Sequence, residues 1–115
     1  MFGKLSSEIE QEINNKGYHI LRKSFARKKM YPNKFPDYDE IEQILIGKIY
    51  TLRLFVKHKR NGTERIDGGM IDVKIIKNNN EEYSGELLTL LPPNFPIKKG
   101  DHLKICKDEI LFEQK

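Results

Sequence analysis

The chain has 115 residues, of which 37% are hydrophobic and 33% are charged, a balance too apolar for a disordered protein and too polar for a membrane protein. This length suits one domain with one core, so we expect a single domain over residues 1–115. The first residues carry no export signal and the one cysteine, Cys106, has no partner for an internal disulfide, which together predict a soluble protein of the cytoplasm.

The net charge of +4 is unevenly distributed along the chain. Lys16 to Pro36 contains seven basic residues and no acidic one, and Lys48 to Arg65 contains six basic residues against Glu64 alone. Local positive charge of this kind steers the choice of binding partner.

The first predicted element is a helix that begins at Ser7 and ends near Lys16. Ser7 followed three residues later by Glu10 is typical of a capping box at a helix start. Gly17 can adopt the left-handed conformation that closes a helix, and Lys16 is well placed against the helix dipole.

Two further helices are predicted before the period of the sequence changes. Tyr18 to Tyr31 has apolar residues at helical spacing and is stopped by Pro32. A third, short helix begins at Asp37 and stops at Gly47. Residues 1–47 are therefore expected to form a helical lead.

Residues 48–115 are expected to form an antiparallel β meander. Tyr50 to Val56 alternates apolar and polar residues as a half-buried strand does, and Asn61-Gly62 is a strong signal for a two-residue hairpin turn. Such a turn predicts that Leu52 lies opposite Ile71 and that Tyr50 lies opposite Val73.

The rest of the meander is predicted from its turns. A three-residue loop over Asn78–Asn80 would place Ile75 opposite Tyr83 and Ile71 opposite Leu87, and Gly85 suggests a bulge or bend. Two short strands near Leu103 and Phe112 would follow the proline-rich segment. The predicted fold class is α+β: amino-terminal helices packed on a strongly bent, mainly antiparallel sheet of about five strands, a partly open barrel.

No motif predicts a catalytic residue, a metal site or a cofactor. His19, His58 and His102 lack the spacing of metal ligands, and Cys106 has no neighbouring base or positive field that would make it a nucleophile. An enzyme whose site is dispersed along the sequence remains an alternative.

Two surfaces are candidates for binding. The first is a basic surface formed by the predicted helix over Tyr18–Tyr31 and the tip of the Asn61-Gly62 hairpin, with Phe25 and Tyr31 interleaved among the helix's basic residues. It would bind nucleic-acid phosphates if the helix and the hairpin tip face the same way. Its residues are Arg22, Lys23, Arg27, Lys28, Lys29, Lys57, Lys59, Arg60 and Arg65. Solvated basic faces are also common, so this remains an alternative.

The second candidate surface is the exposed edge of a short curled sheet together with the apolar, proline-stiffened loop Leu90–Pro96 and Tyr83. Small antiparallel domains bind partners by strand addition or through apolar grooves. The loop is equally well explained as a cover for the open end of the core.

Five segments of the chain carry a resemblance to a known family: Ala26-Arg27, Leu52–Phe55, Met70–Val73, Tyr83–Leu87 and Lys99–Leu103. Through them the carboxy-terminal two-thirds of the chain resembles a bacterial domain family of unknown function that includes YegJ-like small proteins. The chain departs from the family pattern because it has no tryptophan and offers Met70 or Ile71 in its place. The resemblance implies a fold and no activity, and it transfers no catalytic residue.

From these observations we expect a non-enzymatic bacterial interaction domain that binds a protein partner in an accessory or immunity-type role. The alternatives are nucleic-acid binding and an enzyme with a dispersed site. The sequence predicts no membrane partner and does not determine the oligomeric state.

Overall fold

The computed structural model describes residues 7–26, 41, 43–80 and 82–114. The described helices are α1 (Ser7–Lys16) and the single turn α2 (Lys23–Phe25), and a 3₁₀ helix spans Lys107–Glu109. The strands are β1 (Tyr18–Ile20), β2 (Ile49–Arg60), β3 (Thr63–Asn79), β4 (Glu82–Leu87), β5 (His102–Cys106) and β6 (Phe112–Glu113).

The strands form one antiparallel sheet in the order β1-β2-β3-β4-β5, with β6 paired to β2. Both β1 and β6 bind the edge of β2 that faces away from β3, since β1 pairs with Leu54–Val56 and β6 pairs with Tyr50–Thr51. The 3₁₀ helix carries the chain from β5 back to this edge. The sheet is therefore strongly curled into a half-barrel.

The β2–β3 hairpin has the predicted turn and the predicted register. Asn61 and Gly62 both have positive φ angles, 53° and 78°, as a type I′ turn requires. Leu52 lies opposite Ile71, and Tyr50 lies opposite Val73. The prediction made from the Asn61-Gly62 dipeptide is confirmed.

Helix α1 also has the predicted bounds. Gly17 has a φ of 87°, and its N–H donates to the carbonyl of Ile13 at 2.6 Å, which is the bond of a left-handed helix end. The side chains of the proposed capping box, Ser7 and Glu10, lie outside the described part.

The main core lies on the concave face of the sheet. Alternate residues of β2 and β3 point into it, with Tyr50, Leu52, Val73 and Ile75 each at most 1% exposed. Phe55 has the opposite parity, so it lies on the convex face, where it is also buried. Helix α1 lies against β1 and β2, and its buried Ile13 belongs outside the main cluster.

The predicted helix over Tyr18–Tyr31 is wrong at its start. Tyr18–Ile20 is a strand that pairs with Val56–Leu54 of β2, and only Lys23–Phe25 is helical before the described part is interrupted. The vacant edge of β2 provides hydrogen bonds that outweigh the helical spacing of the sequence. Residues 27–31 lie outside the described residues.

The predicted third helix is also not found where the structure describes it. Residues 43–45 are not helical, and Ile46-Gly47 forms a turn with a Gly47 φ of 90°. Residues 37–40 and 42 lie outside the described part. The described chain is mainly β, so an α+β class with packed helices is not confirmed.

The predicted register between β3 and β4 is wrong. Val73 lies opposite Leu87 and Ile75 lies opposite Gly85, with an irregularity between Ile75 and Lys77. The extra residue of this bulge is in β3, whereas the sequence predicted a bulge at Gly85 on the opposite strand. The paired residues Asn79 and Glu82 leave a two-residue loop, and the bulge keeps the apolar residues on the concave face.

Candidate interaction surface

Strand β3 is much longer than the strand beside it. It has 17 residues and β4 has 6, and the pairing with β4 begins only at Val73. In the part of the chain that the structure describes, Thr63–Met70 pairs with β2 along one edge and with no strand along the other. We call this second edge of Thr63–Met70 the open edge.

Two residues of β3 that lie beyond the open edge show towards which neighbour the backbone N–H and C=O groups of each β3 residue point. Ile75 donates to the carbonyl of Lys48 at 3.0 Å and accepts from the N–H of Gly47 at 2.8 Å. The backbone N–H and C=O groups of the odd-numbered residues of β3 up to Ile75 therefore point towards β2. Asp72 faces the other way, because its carbonyl accepts from Leu88 at 2.9 Å.

The register of β2 with β3 is continuous from Thr63 to Lys74, so the same alternation holds along the open edge. Its outward N–H and C=O groups belong to the even-numbered residues Glu64, Ile66, Gly68 and Met70. Within the described residues no strand pairs with these donors and acceptors, and such a row can template another strand.

The side chains along the open edge are exposed from Thr63 to Met70. Ile66 is 37% exposed and Met70 is 46% exposed, and both lie on the convex face by their parity. Leu90, in the loop that follows β4, is 81% exposed. Apolar side chains thus accompany the unpaired backbone.

A small apolar recess of about 70 Å³ lies beside the open edge on the concave side. Gly69 lines it and has nothing within 4 Å of where a Cβ would stand. The described fold therefore gives no steric reason for glycine here, although glycine weakens a strand. The other lining residues are Leu54, Val56, Asp67, Gly68, Met70, Ile71, Leu91 and Phe95.

An open groove of about 400 Å³ lies between α1 and the hairpin, lined by Asn14, Lys57, Glu64, Arg65 and Ile66. Lys57 Nζ donates to Asn14 Oδ1 at 2.8 Å and lies 3.2 Å from Glu64 Oε2. The Lys57 ammonium is therefore committed to contacts within the domain.

The structure describes only part of the predicted basic surface. Arg22 and Arg65 are exposed, whereas Lys23 is buried. The stretch Arg27, Lys28 and Lys29 lies outside the described residues, as do the side chains of Lys59 and Arg60.

Arg22 and Arg65 lie beside different parts of β2. Leu21, beside Arg22, bonds to Arg53, whereas Arg65 lies opposite His58. These two β2 residues are five positions apart, about 17 Å along a strand. Nucleic-acid binding through these residues stays a prediction.

A second group of titratable side chains surrounds the start of the 3₁₀ helix. Glu109 Oε1 accepts from the Cys106 N–H at 2.8 Å. Burial, together with the Glu109 carboxylate, raises the pKa of the Cys106 thiol, and burial raises the pKa of Glu109. A raised thiol pKa keeps sulfur protonated and disfavours the nucleophilic form.

His19 is buried beside this group. Its Nδ1 lies 3.0 Å from Glu12 Oε2, but among the described residues it makes no hydrogen bond. Among the described residues, no three His, Cys, Asp or Glu side chains converge as metal ligands.

Asp108 joins the 3₁₀ helix to α2. Its Oδ1 accepts from the Ser24 N–H at 3.1 Å, and its Oδ2 accepts from the Ser24 hydroxyl at 2.5 Å. A carboxylate at this position satisfies an amide left open at a helix start. This long-range cap fixes the chain after β1 against the end of β5.

The predicted loop surface is only partly available. Leu91 and Phe95 pack against the main core, which is the covering role, while Leu90 is exposed. Sequence reasoning anticipated an exposed edge but did not locate it on β3. The sequence signal that could have located it is the stretch from Glu64 to Lys77 between the turns at Asn61-Gly62 and Asn78–Asn80, which is longer than the stretch between the second turn and the prolines.

No family model, curated protein or solved structure matches this chain. The resemblance to the YegJ-like family accordingly stays a prediction. Among the described residues, no helix has the length and hydrophobicity that a membrane span requires.

Proposed function

We propose that this chain is a protein-interaction domain that binds an extended segment of a polypeptide by strand addition to the open edge of β3. The observation that supports the proposal is the row of outward backbone groups on Glu64, Ile66, Gly68 and Met70, which no described strand pairs. In strand addition, such main-chain groups supply the affinity and the alternating side chains supply the specificity.

The two faces of the open edge offer different contacts to an added strand. On the convex face, Ile66 and Met70 would contact apolar side chains of the partner. On the concave face, the recess beside Gly69 has a volume of about 70 Å³. It is less than half of the roughly 150 Å³ cavity that accommodates benzene, so it favours a small aliphatic side chain over an aromatic one.

Charged residues within the open edge restrict what can pair with it. Glu64, Arg65 and Asp67 interrupt the apolar surface, and charges on an edge strand oppose indiscriminate pairing. A partner strand of complementary charge is not opposed. The edge therefore suits a specific partner better than general aggregation.

The cellular role we propose is the one expected from the sequence, an accessory or immunity-type factor of a bacterium. We do not extend the proposal to nucleic acid, because Lys57, one of the nine basic residues predicted to contact phosphate, pairs with Glu64. Catalysis by dispersed residues is likewise left as an alternative.

The experiment is selection of binders from a library of displayed random peptides, followed by mapping on the isotope-labelled domain. Selected peptides should slow exchange of the outward amides of β3. Gly68→Pro removes one outward N–H without affecting the bonds to β2 and should abolish binding.

Lys99→Pro is the matched control. Lys99 is the second residue of the turn closed by Asp101 N–H and the Lys98 carbonyl at 2.9 Å, and Gly100 follows with a φ of 96°, a position that favours proline. This variant should bind the selected peptides normally. Peptides that bind Gly68→Pro as tightly as the parent chain would refute strand addition.

A further inference from the structure

We infer that the strand that adds to the open edge is the same edge of a second copy of this chain, related by a two-fold axis that passes midway between the two copies of Ile66. This inference rests on the proposed function, because it names the partner of the same surface. It is argued from the direction of the backbone groups and from the charges along Thr63–Met70.

A two-fold axis perpendicular to the sheet permits only some registers. Residues that lie opposite each other must both present their backbone outward or both present it inward, and they must share a face of the sheet. The outward groups belong to the even-numbered residues. One residue must therefore lie opposite its own copy, with the axis between the two, and the central candidates for this residue are Arg65, Ile66 and Asp67.

Charge selects one of these three registers. An axis at Arg65 places that guanidinium against its own copy, and an axis at Asp67 does the same for two carboxylates. Like charges directly opposite each other are destabilising. With the axis at Ile66, each Arg65 lies opposite Asp67 of the second copy, and the two pairs are related by the symmetry.

The hydrogen-bond pattern supports the same register. Ile66 would face Ile66 of the second copy, and Glu64 would face Gly68 twice, giving three hydrogen-bonded pairs and about six backbone bonds. The Arg65 and Asp67 pairs fall at the non-hydrogen-bonded positions between them. Side chains approach most closely at those positions, which favours the ion pairs.

The remaining opposed residues are compatible with this arrangement. Thr63 of one copy would lie opposite Gly69 of the other, on the concave face where no described atom lies within 4 Å of the Gly69 Cβ position. On the convex face, the two Ile66 side chains would cover one another. The edge is therefore complementary to itself in shape as well as in charge.

The association should be weak. A single strand pair buries far less than the roughly 1,600 Å² of a standard interface, and association must offset the loss of translational and rotational freedom. We expect a Kd on the order of micromolar to millimolar. Raising the salt concentration should weaken the dimer, because its ion pairs are exposed.

The test is sedimentation equilibrium of the full chain from micromolar to millimolar concentration, with charge-swap variants. The parent chain should dimerise, whereas Arg65→Asp alone and Asp67→Arg alone should each raise the Kd about tenfold or more. An equimolar mixture of the two single variants restores both ion pairs and should form a heterodimer. The double variant in one chain should again form a homodimer.

Lys104→Asp is the matched control, since it makes the same change of charge at an exposed side chain of β5 and should leave the Kd unchanged. A parent chain that stays monomeric at millimolar concentration would overturn the inference, as would single variants that dimerise like the parent. If selected peptides still bind the open edge in that case, the proposed function stands and only the identity of the partner is wrong.

Discussion

Two strand glycines should respond in opposite directions to the same substitution. Gly69 has nothing within 4 Å of its Cβ position, whereas the Cβ position of Gly85 lies 3.2 Å from Val73 Cβ and 3.3 Å from Val73 Cγ2. Gly69→Ala should raise the free energy of unfolding by about 0.5–1 kcal/mol, because it reduces the conformational freedom of the unfolded chain.

Gly85→Ala should lower the free energy of unfolding by about 1–3 kcal/mol. Val73 is fully buried and its Cβ is held by the backbone of β3, so the added methyl group must displace a strand in a closely packed core. The destabilisation is an overpacking effect. It should disappear in part when Val73 is shortened to alanine in the same chain.

Urea unfolding of the parent and both variants at one pH measures these differences from the midpoint and the slope. Opposite shifts are expected, with unchanged slopes. If Gly69→Ala destabilises the fold by about 1 kcal/mol or more, some group of the chain does approach Gly69 so closely that only glycine fits there. If Gly85→Ala is neutral, the close approach to Val73 is relaxed in solution and the packing argument fails.

Three further outcomes follow from single contacts. Asp108→Ala removes both acceptors of Ser24 and should lower the unfolding free energy by about 1–2 kcal/mol in thermal denaturation, whereas Asp108→Asn should retain part of the cap. Tyr50→Phe removes the hydroxyl that accepts from the Leu45 N–H at 3.0 Å and should lower the unfolding free energy by about 0.5–1.5 kcal/mol, with an unchanged value refuting the bond. The pKa of Glu109 is raised by burial, so the stability that its protonated form contributes is present below its unfolded pKa and is lost as the pH rises through the folded pKa. Urea midpoints of the parent chain should therefore fall as the pH is raised above 4.5, and Glu109→Gln should remove this part of the fall. Parallel pH profiles of the parent and the variant would contradict the assignment.

The elements that the sequence predicted well are those specified by local chemistry. Asn61-Gly62 selects a two-residue turn because both residues tolerate positive φ, and the alternation of Tyr50 to Val56 then sets which residues share the core face. Helix α1 ends at Lys16 for the same kind of local reason, because Gly17 adopts a positive φ. These features need no knowledge of the rest of the chain.

The elements that the sequence missed depend on distant parts of the chain. Tyr18–Ile20 has helical spacing to the residues after it, and it becomes a strand only because the edge of β2 is available to it. The β3–β4 register depends on a bulge in β3, which the sequence suggested at Gly85 on the opposite strand. Pattern reasoning cannot weigh such long-range pairings.

The type of the candidate surface could be predicted from the sequence, but its position in the sheet could not. An exposed strand edge was expected, yet its position follows from the difference in length between β3 and β4 and from the direction of the backbone at Asp72 and Ile75. The loop Leu90–Pro96 was predicted either to bind a partner or to cover the core, and its side chains Leu91 and Phe95 pack against the core.

The measurement that tests strand addition most directly is residue-resolved amide hydrogen exchange on β3, at a protein concentration well below the Kd measured for the dimer. The amides of Glu64, Ile66, Gly68 and Met70 should exchange at nearly the rate of an unstructured chain, while those of the intervening odd-numbered residues stay protected by β2. Adding a selected peptide should then protect the even-numbered amides, and raising the protein concentration should protect those of Glu64, Ile66 and Gly68. If these four amides are already protected in the dilute protein, the open edge is covered within the chain and strand addition at this site is ruled out.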